Sequence, residues 1–232
     1  CAVVLPGDET EELEVRDTIV AAKQTEKLIY ENFVTPQEDD KGLVTSLSFH
    51  NTENFNFAFD IVDEMAKQKP DKLAMLHLDR FGNERRFSFR QISRDSSRAA
   101  NYFKSLGIKK GDRVMLILRR HYQFWFCILG LHKLGAIPIP ATNQLVEHDL
   151  TYRFNAAGVK CVVATGVGEV AAQIDLAMKD SPTVEHRIMV DGHREGWRNF
   201  DEEYRMFSSS FPRTEDAPGG DDPMLMLFTS GT

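Results

Sequence analysis

Short apolar runs alternate with longer amphipathic stretches along the chain, and this alternation predicts the elements in order. Val15, Ile19, Ala22, Ile29 and Phe33 recur at helical spacing behind the acidic cluster Asp8, Glu9, Glu11 and Glu12. A helix is therefore predicted over about 10–33, with an acidic start that suits its dipole. Pro36 and the charged stretch 37–41 end it, and 42–56 reads as a polar connection without helical or strand period. Phe57, Ile61 and Met65, flanked by Ala58, Val62 and Ala66, form one apolar face of a helix ending before Pro70. Leu73 to Leu78 reads as a buried strand, and Arg80-Phe81-Gly82-Asn83 turns it into a hairpin partner over 85–89. Ile92, Ala99, Phe103 and Leu106 mark the next helix, which Gly107 closes.

From residue 114 onward the pattern becomes strand, helix, strand. Val114 to Leu118 is an apolar strand; Tyr122 to Leu134 is apolar almost all round and predicts a helix buried on several sides. Gly135 stops it before a strand over 137–139. A helix over 147–157, a stop at Gly158 and a strand over 160–164 follow; then come a helix over 169–179, a break at Pro182 and a strand over 186–190. A short helix over 200–207 and a loop over 212–222 lead to a last apolar strand, Met224 to Leu227. Repeated crossovers of this kind predict an α/β fold, a doubly wound, mostly parallel sheet flanked by helices. Residues 1–53 are expected to be a leader helix and connection, and 54–232 the α/β domain.

Composition narrows the chemistry. With 28 Lys and Arg against 35 Asp and Glu, the net charge of −7 gives no global field for nucleic acid or an anionic membrane, so an anionic ligand needs a local site. No apolar run reaches the roughly 18 residues of a membrane span. The three cysteines, Cys1, Cys127 and Cys161, form no metal or disulfide pattern; Cys127 and Cys161 lie in apolar runs and fit packing roles in a reduced, cytoplasmic interior. A homo-oligomer stays open.

One stretch offers chemistry. Phe228-Thr229-Ser230-Gly231-Thr232 follows the last apolar run, where a small, hydroxyl-bearing turn suits phosphate. Gly231 allows close backbone approach to an anion, and Thr229, Ser230 and Thr232 supply hydroxyls for phosphate oxygens or a magnesium ion. Arg119-Arg120-His121, just after a strand, is a second place where an anion such as a coenzyme A phosphate could be met, although a solvated helix start explains it too. His132 on its apolar helix, Trp125 with its aromatic neighbours, and the Lys109-Lys110 turn read as structural. Asp221-Asp222 reads as an exposed loop pair rather than a metal site, and no residue is assigned as catalytic.

The terminal Phe-Thr-Ser-Gly-Thr resembles the opening of the phosphate loop of the adenylate-forming superfamily, which includes acyl-CoA synthetases, luciferases and peptide-synthetase adenylation domains. The segment Phe124 to Thr142, with Gly135-Ala136 and Pro138-Ile139-Pro140-Ala141-Thr142, followed by Leu145, Asp149-Leu150 and Tyr152-Arg153, is similar to the medium-chain acyl-CoA synthetase branch. Asn54-Phe55-Asn56-Phe57, Asp60 and Lys109-Gly111-Asp112-Arg113-Val114 also look like that branch. The resemblance covers about 54–232. It implies a ligase that uses ATP, magnesium and coenzyme A to activate a medium-chain or aromatic carboxylate through an acyl-adenylate, with Thr229, Ser230, Gly231 and Thr232 in the nucleotide grip. The family's loop continues beyond Thr232, and its adenine, ribose, magnesium and catalytic lysine residues lie further on, so residues 1–232 alone are expected to be inactive. The alternatives are a non-catalytic binding or assembly module on the same scaffold, or another adenylate-forming enzyme such as an acetyl-CoA synthetase.

Overall fold

The computed structural model describes residues 28–79 and 81–229, which fall into two compact units divided between Asn51 and Thr52. In the first, a 3₁₀ turn, Ile29–Asn32, precedes the antiparallel strands β1, Val34–Glu38, and β2, Val44–Phe49. The Asp39 carboxylate accepts from the N–H groups of Lys41 and Leu43, each at 2.9 Å, and so shapes the tip.

This corrects two expectations. Residues 10–27 of the predicted helix lie outside the described residues, and its end is a single 3₁₀ turn. The supposed connection carries a strand. Val44, Thr45, Leu47 and Phe49 favour extended backbone, and Pro36 sits opposite Leu47 in a two-stranded ribbon whose outer sides demand no N–H. All of β2 is exposed, so no one-sided burial imposed the period that would have marked it.

The second unit opens with Asn56, whose Oδ1 accepts from the N–H groups of Ala58 and Phe59 at 3.0 and 3.3 Å. A π-helical stretch, Ala58–Asp63, then runs into α1, Glu64–Gln68. The wider turn moves the buried face by one residue: Ala58, Phe59, Val62 and Met65 are buried, while Phe57 is exposed. Strands β3, Leu73–Leu78, and β4, Glu84–Ser88, pair antiparallel as predicted, but as a separate ribbon outside the main sheet. Leu73, Leu76 and Leu78 are therefore exposed rather than core. Ser88 and Gln91 form a reciprocal capping box that starts α2, Phe89–Ser105.

The main sheet contains β5, Arg113–Ile117; β6, Ile137–Pro140; β7, Val159–Thr165; β8, His186–Val190; and β9, Arg198–Asn199. Their order is β6-β5-β7-β8-β9 and every pairing is parallel. Helices α3, Gln123–Leu134; α4, Glu147–Ala157; and α5, Val170–Ala177, make the crossovers between successive strands β5 to β8, and a short α6, Phe200–Glu203, follows β9. Left-handed glycines end α3 and α4, with φ of 78° at Gly135 and 57° at Gly158.

Alternation along the strands sorts the core into two layers. Val114, Leu116, Cys161, Val163, Ile188 and Val190 pack with residues of α2 and α3. Met115, Ile117, Val162 and Ala164 pack with Leu150, Phe154, Val170 and Ile174 of α4 and α5. Helices cover both faces, so the predicted doubly wound α/β class is the fold observed.

The last predicted strand is different. Met224–Leu227 is extended beside β6 but makes one backbone bond to it, Met226 N–H to Pro138 O at 3.2 Å, and no ladder. Pro138 and Pro140 have no N–H, so this edge accepts but cannot donate back at those positions. Met226 and Phe228 lean on the second core layer, while Met224, Leu225 and Leu227 are exposed. The expected buried strand is therefore not formed: the run joins no ladder and three of its four residues are exposed.

Candidate functional site

The segment that carries the predicted phosphate turn is anchored well before it. Gly220 N–H donates to Glu53 O at 3.0 Å, and the Asn56 amide donates to Pro218 O at 3.3 Å. Asp222 accepts from Gly219 N–H at 2.9 Å and pairs with Lys110 Nζ at 2.8 Å, which holds its carboxyl below the usual range. Lys110, expected in a solvated turn, and Asp222, expected as an unpartnered loop acid, are instead joined by one partly exposed ion pair. Further on, the Phe228 ring lies 6.4 Å from that of Tyr152, and the Arg153 guanidinium sits 5.0 Å over it. Thr229 follows with its side chain exposed. Ser230, Gly231 and Thr232 lie outside the described residues.

The order β6-β5-β7 places a topological switch between β5 and β7, where the chain leaves in opposite directions and opens a crevice at the strands' carboxyl ends. Two residues meet there. His121 Nε2 and the buried Thr165 Oγ1 are 2.7 Å apart, and the same hydroxyl accepts from Val167 N–H at 3.1 Å. Thr165 can therefore donate to a neutral His121 ring, whose affinity for a proton is lowered mainly by burial and is partly restored by Asp191 and Asp201. Asp201 also accepts from Gln123 Nε2 at 2.7 Å and from Asp191 N–H at 3.1 Å, tying the start of α3 to the end of β8.

Beside this turn lies a groove of about 230 Å³, bounded by β3 and the β5–α3 connection, with His77, Arg119, Arg120, His121, Tyr122 and Trp125 in its wall. His77 Nε2 donates to Arg120 O at 2.7 Å. Arg119 and Arg120 are exposed, and among the described residues neither guanidinium has a hydrogen bond or ion pair. Trp125 is 49% exposed, so it is not the core residue the apolar run suggested. Thr165 and His77 could not be found from the sequence: one ends an apolar strand, the other sits in a hairpin distant in the chain. No hydrogen bond or ion pair among the described residues joins this turn to Thr229.

The other candidates are structural. His132 is buried, and neither ring nitrogen has a hydrogen-bond partner among the described residues, so it is packed but not hydrogen-bonded as anticipated. Burial pushes the Cys127 and Cys161 thiols well up, which rules them out as thiolates near neutrality. Among the described residues no group of three His, Cys, Asp or Glu side chains could hold a metal ion; of the hydroxyls expected to meet magnesium, those of Ser230 and Thr232 lie outside them.

A family model described as AMP-binding enzyme matches residues 62–232. The acyl-coenzyme A synthetase ACSM4, mitochondrial, of Mus musculus is 34% identical over 187 residues, covering 78% of this chain and 32% of that protein. The acyl-coenzyme A synthetase ACSM5, mitochondrial, of Rattus norvegicus is 34% identical with the same coverage. The chain thus spans about a third of the length of these relatives. Among solved structures, the anthranilate CoA ligase AuaEII in complex with anthranoyl-AMP shares the fold with a TM-score of 0.65 at 22% identity, over 77% of this chain and 33% of that one. The expectation of a cytoplasmic protein is overturned by these relatives, both mitochondrial by name. Its basis was the cysteines, and a buried thiol such as Cys127 or Cys161 is a packing fact that carries no compartment information. On a match to nearly three quarters of its residues, the chain belongs to the AMP-binding enzyme family.

Proposed function

We propose that these residues are the amino-terminal portion of an AMP-forming acyl-CoA synthetase acting on a medium-chain or aromatic carboxylate. The observation that carries this reading is the family match over 62–232, which ends in the hydroxyl- and glycine-bearing turn from Thr229 to Thr232. In this reading a carboxylate oxygen attacks the α-phosphorus of ATP and pyrophosphate leaves. The coenzyme A thiol then attacks the acyl carbon, and AMP leaves. Charge grows on the pyrophosphate during the first step, so the hydroxyls of Thr229, Ser230 and Thr232 and the open backbone at Gly231 act by holding its oxygens. Magnesium, when bound with ATP, would neutralise phosphate charge, and the hydroxyls of Thr229, Ser230 and Thr232 are the groups of this chain that would meet it.

The 1–53 portion is a leader in this reading, and 54–232 carries the nucleotide loop. Residues 1–232 alone are inactive in it, so the test uses the full-length protein. ATP-dependent pyrophosphate release is measured across a panel of straight-chain and aromatic carboxylates. We expect release that depends on the carboxylate, is greatest for medium-chain or aromatic acids, and falls at least tenfold in Ser230→Ala/Thr232→Ala. Binding of ATP without release for any acid would favour the non-catalytic alternative.

A further inference from the structure

The groove beside β3 is set apart from the rest of the surface by charge and by its aromatic wall. The protein carries a net charge of −7, yet the groove is lined by two guanidiniums and two imidazoles and by no carboxylate. A third guanidinium, that of Arg85, lies 4.6 Å over the Tyr122 ring at the same place. Among the described residues neither guanidinium of Arg119 and Arg120 has a hydrogen-bond or ion-pair partner, so both are open to a ligand. Their planar forks match phosphate oxygens in bidentate geometry, and their combined charge suits a dianion better than a single carboxylate. The backbone that presents them is held by the His77 bond to Arg120 O and the His121–Thr165 bond, so the pair is not on a free loop. Trp125 is half exposed, its ring perpendicular to that of Phe124 at 5.5 Å, so part of the indole is open to a stacking partner. The groove, about 230 Å³, is open to solvent, so a ligand bound in it would lie partly outside.

We propose that this groove binds a phosphorylated nucleoside, with its phosphate on Arg119 and Arg120 and its base against Trp125. Stacking on an indole tolerates any base, and the arginine pair supplies the demand for phosphate. The site shares no residue with the Thr229–Thr232 stretch and does not depend on the ligase reading.

Trp125 gives the test a local reporter, since Trp197 is the only other tryptophan in residues 1–232. In the full chain carrying Trp197→Phe, fluorescence is titrated with AMP, with adenosine 3′,5′-bisphosphate and with unphosphorylated adenosine. Saturable quenching by either nucleotide is expected, at least tenfold tighter than by adenosine, and whichever binds tighter shows where on the sugar the phosphate is read. Arg119→Ala/Arg120→Ala should weaken it at least tenfold with an unchanged circular dichroism spectrum, because both side chains are exposed and unpaired. Equilibrium dialysis of the labelled nucleotide against Trp125→Ala checks the same contact without fluorescence. Equal response to adenosine, no response to either nucleotide, or affinity untouched by the arginine pair would overturn the proposal. Failure of the ligase reading would instead appear in pyrophosphate release, which this titration does not measure.

Discussion

His132 and His121 carry ring nitrogens where burial disfavours a proton, and both take protons less readily than a free histidine. For His132 burial dominates; the Met224 backbone favours the charged ring slightly without reaching hydrogen-bond geometry. The unfolded chain protonates these rings near pH 6.5, and the folded chain only below that. The unfolded state therefore binds more protons as pH falls, and stability drops with it. The contribution is complete above about pH 6.5 and is lost below it. We expect the melting temperature to fall between pH 7 and pH 5.5, and His132→Leu to make that fall shallower. A parallel pH profile for the variant would show that His132 is not one of the groups responsible.

Lys133 presents the opposite case, a charge kept inside by its partners. Its side chain is fully buried, 2.8 Å from Asp63 Oδ1 and 2.9 Å from Ser97 Oγ. Burial lowers its proton affinity and Asp63 raises it again. Ser93 Oγ donates to the same Asp63 oxygen at 2.6 Å, so the pair links α3 to α2 and to the π-helical stretch. Asp63→Ala would strand the ammonium at a cost of about 3–5 kcal/mol, whereas the double change Asp63→Leu/Lys133→Met should recover most of it. Urea unfolding of the three proteins measures this directly.

Among the elements, α2 and α3 pack closest at Gly130. A Cβ there would lie 2.8 Å from Ala100 N and 2.9 Å from Ser96 O, both backbone atoms that cannot turn aside. Gly130→Ala should therefore push the helices apart and destabilise by about 1–3 kcal/mol, read as a lowered melting temperature, with Gly130→Val worse. At this scale the sequence was most legible where one face is buried. The helix over 147–157 matches its predicted bounds because core contacts on one side impose a period, and the strand over 186–190 does so because Ile188, Met189 and Val190 form a continuous buried run. Legibility failed where burial is absent or shared. The exposed β2 left no period, β9 is two residues long, and the prolines of β6 deny the last segment a ladder. At the candidate site the Thr229–Thr232 expectation rests on local chemistry alone, whereas the His121–Thr165 contact joins residues 44 apart and exists only through the sheet order.

For the whole molecule, the sheet explains why the two places of interest are distinct. One lies after the outer edge beyond β6; the other opens beside the β5–β7 switch. The family match covers both and assigns the chain to AMP-binding enzymes, while the acid it activates and the chemistry of the complete protein stand as the proposal. That proposal makes a claim about single atoms. If a carboxylate oxygen attacks the α-phosphorus, that oxygen stays on AMP when the thiol takes the acyl group. The full-length protein is therefore given a carboxylate labelled with heavy oxygen, together with ATP and coenzyme A, and the nucleotide and phosphate products are weighed by mass spectrometry. The account predicts AMP carrying one labelled oxygen and unlabelled pyrophosphate. ADP with labelled orthophosphate would contradict it, because the carboxylate would then have attacked the γ-phosphorus.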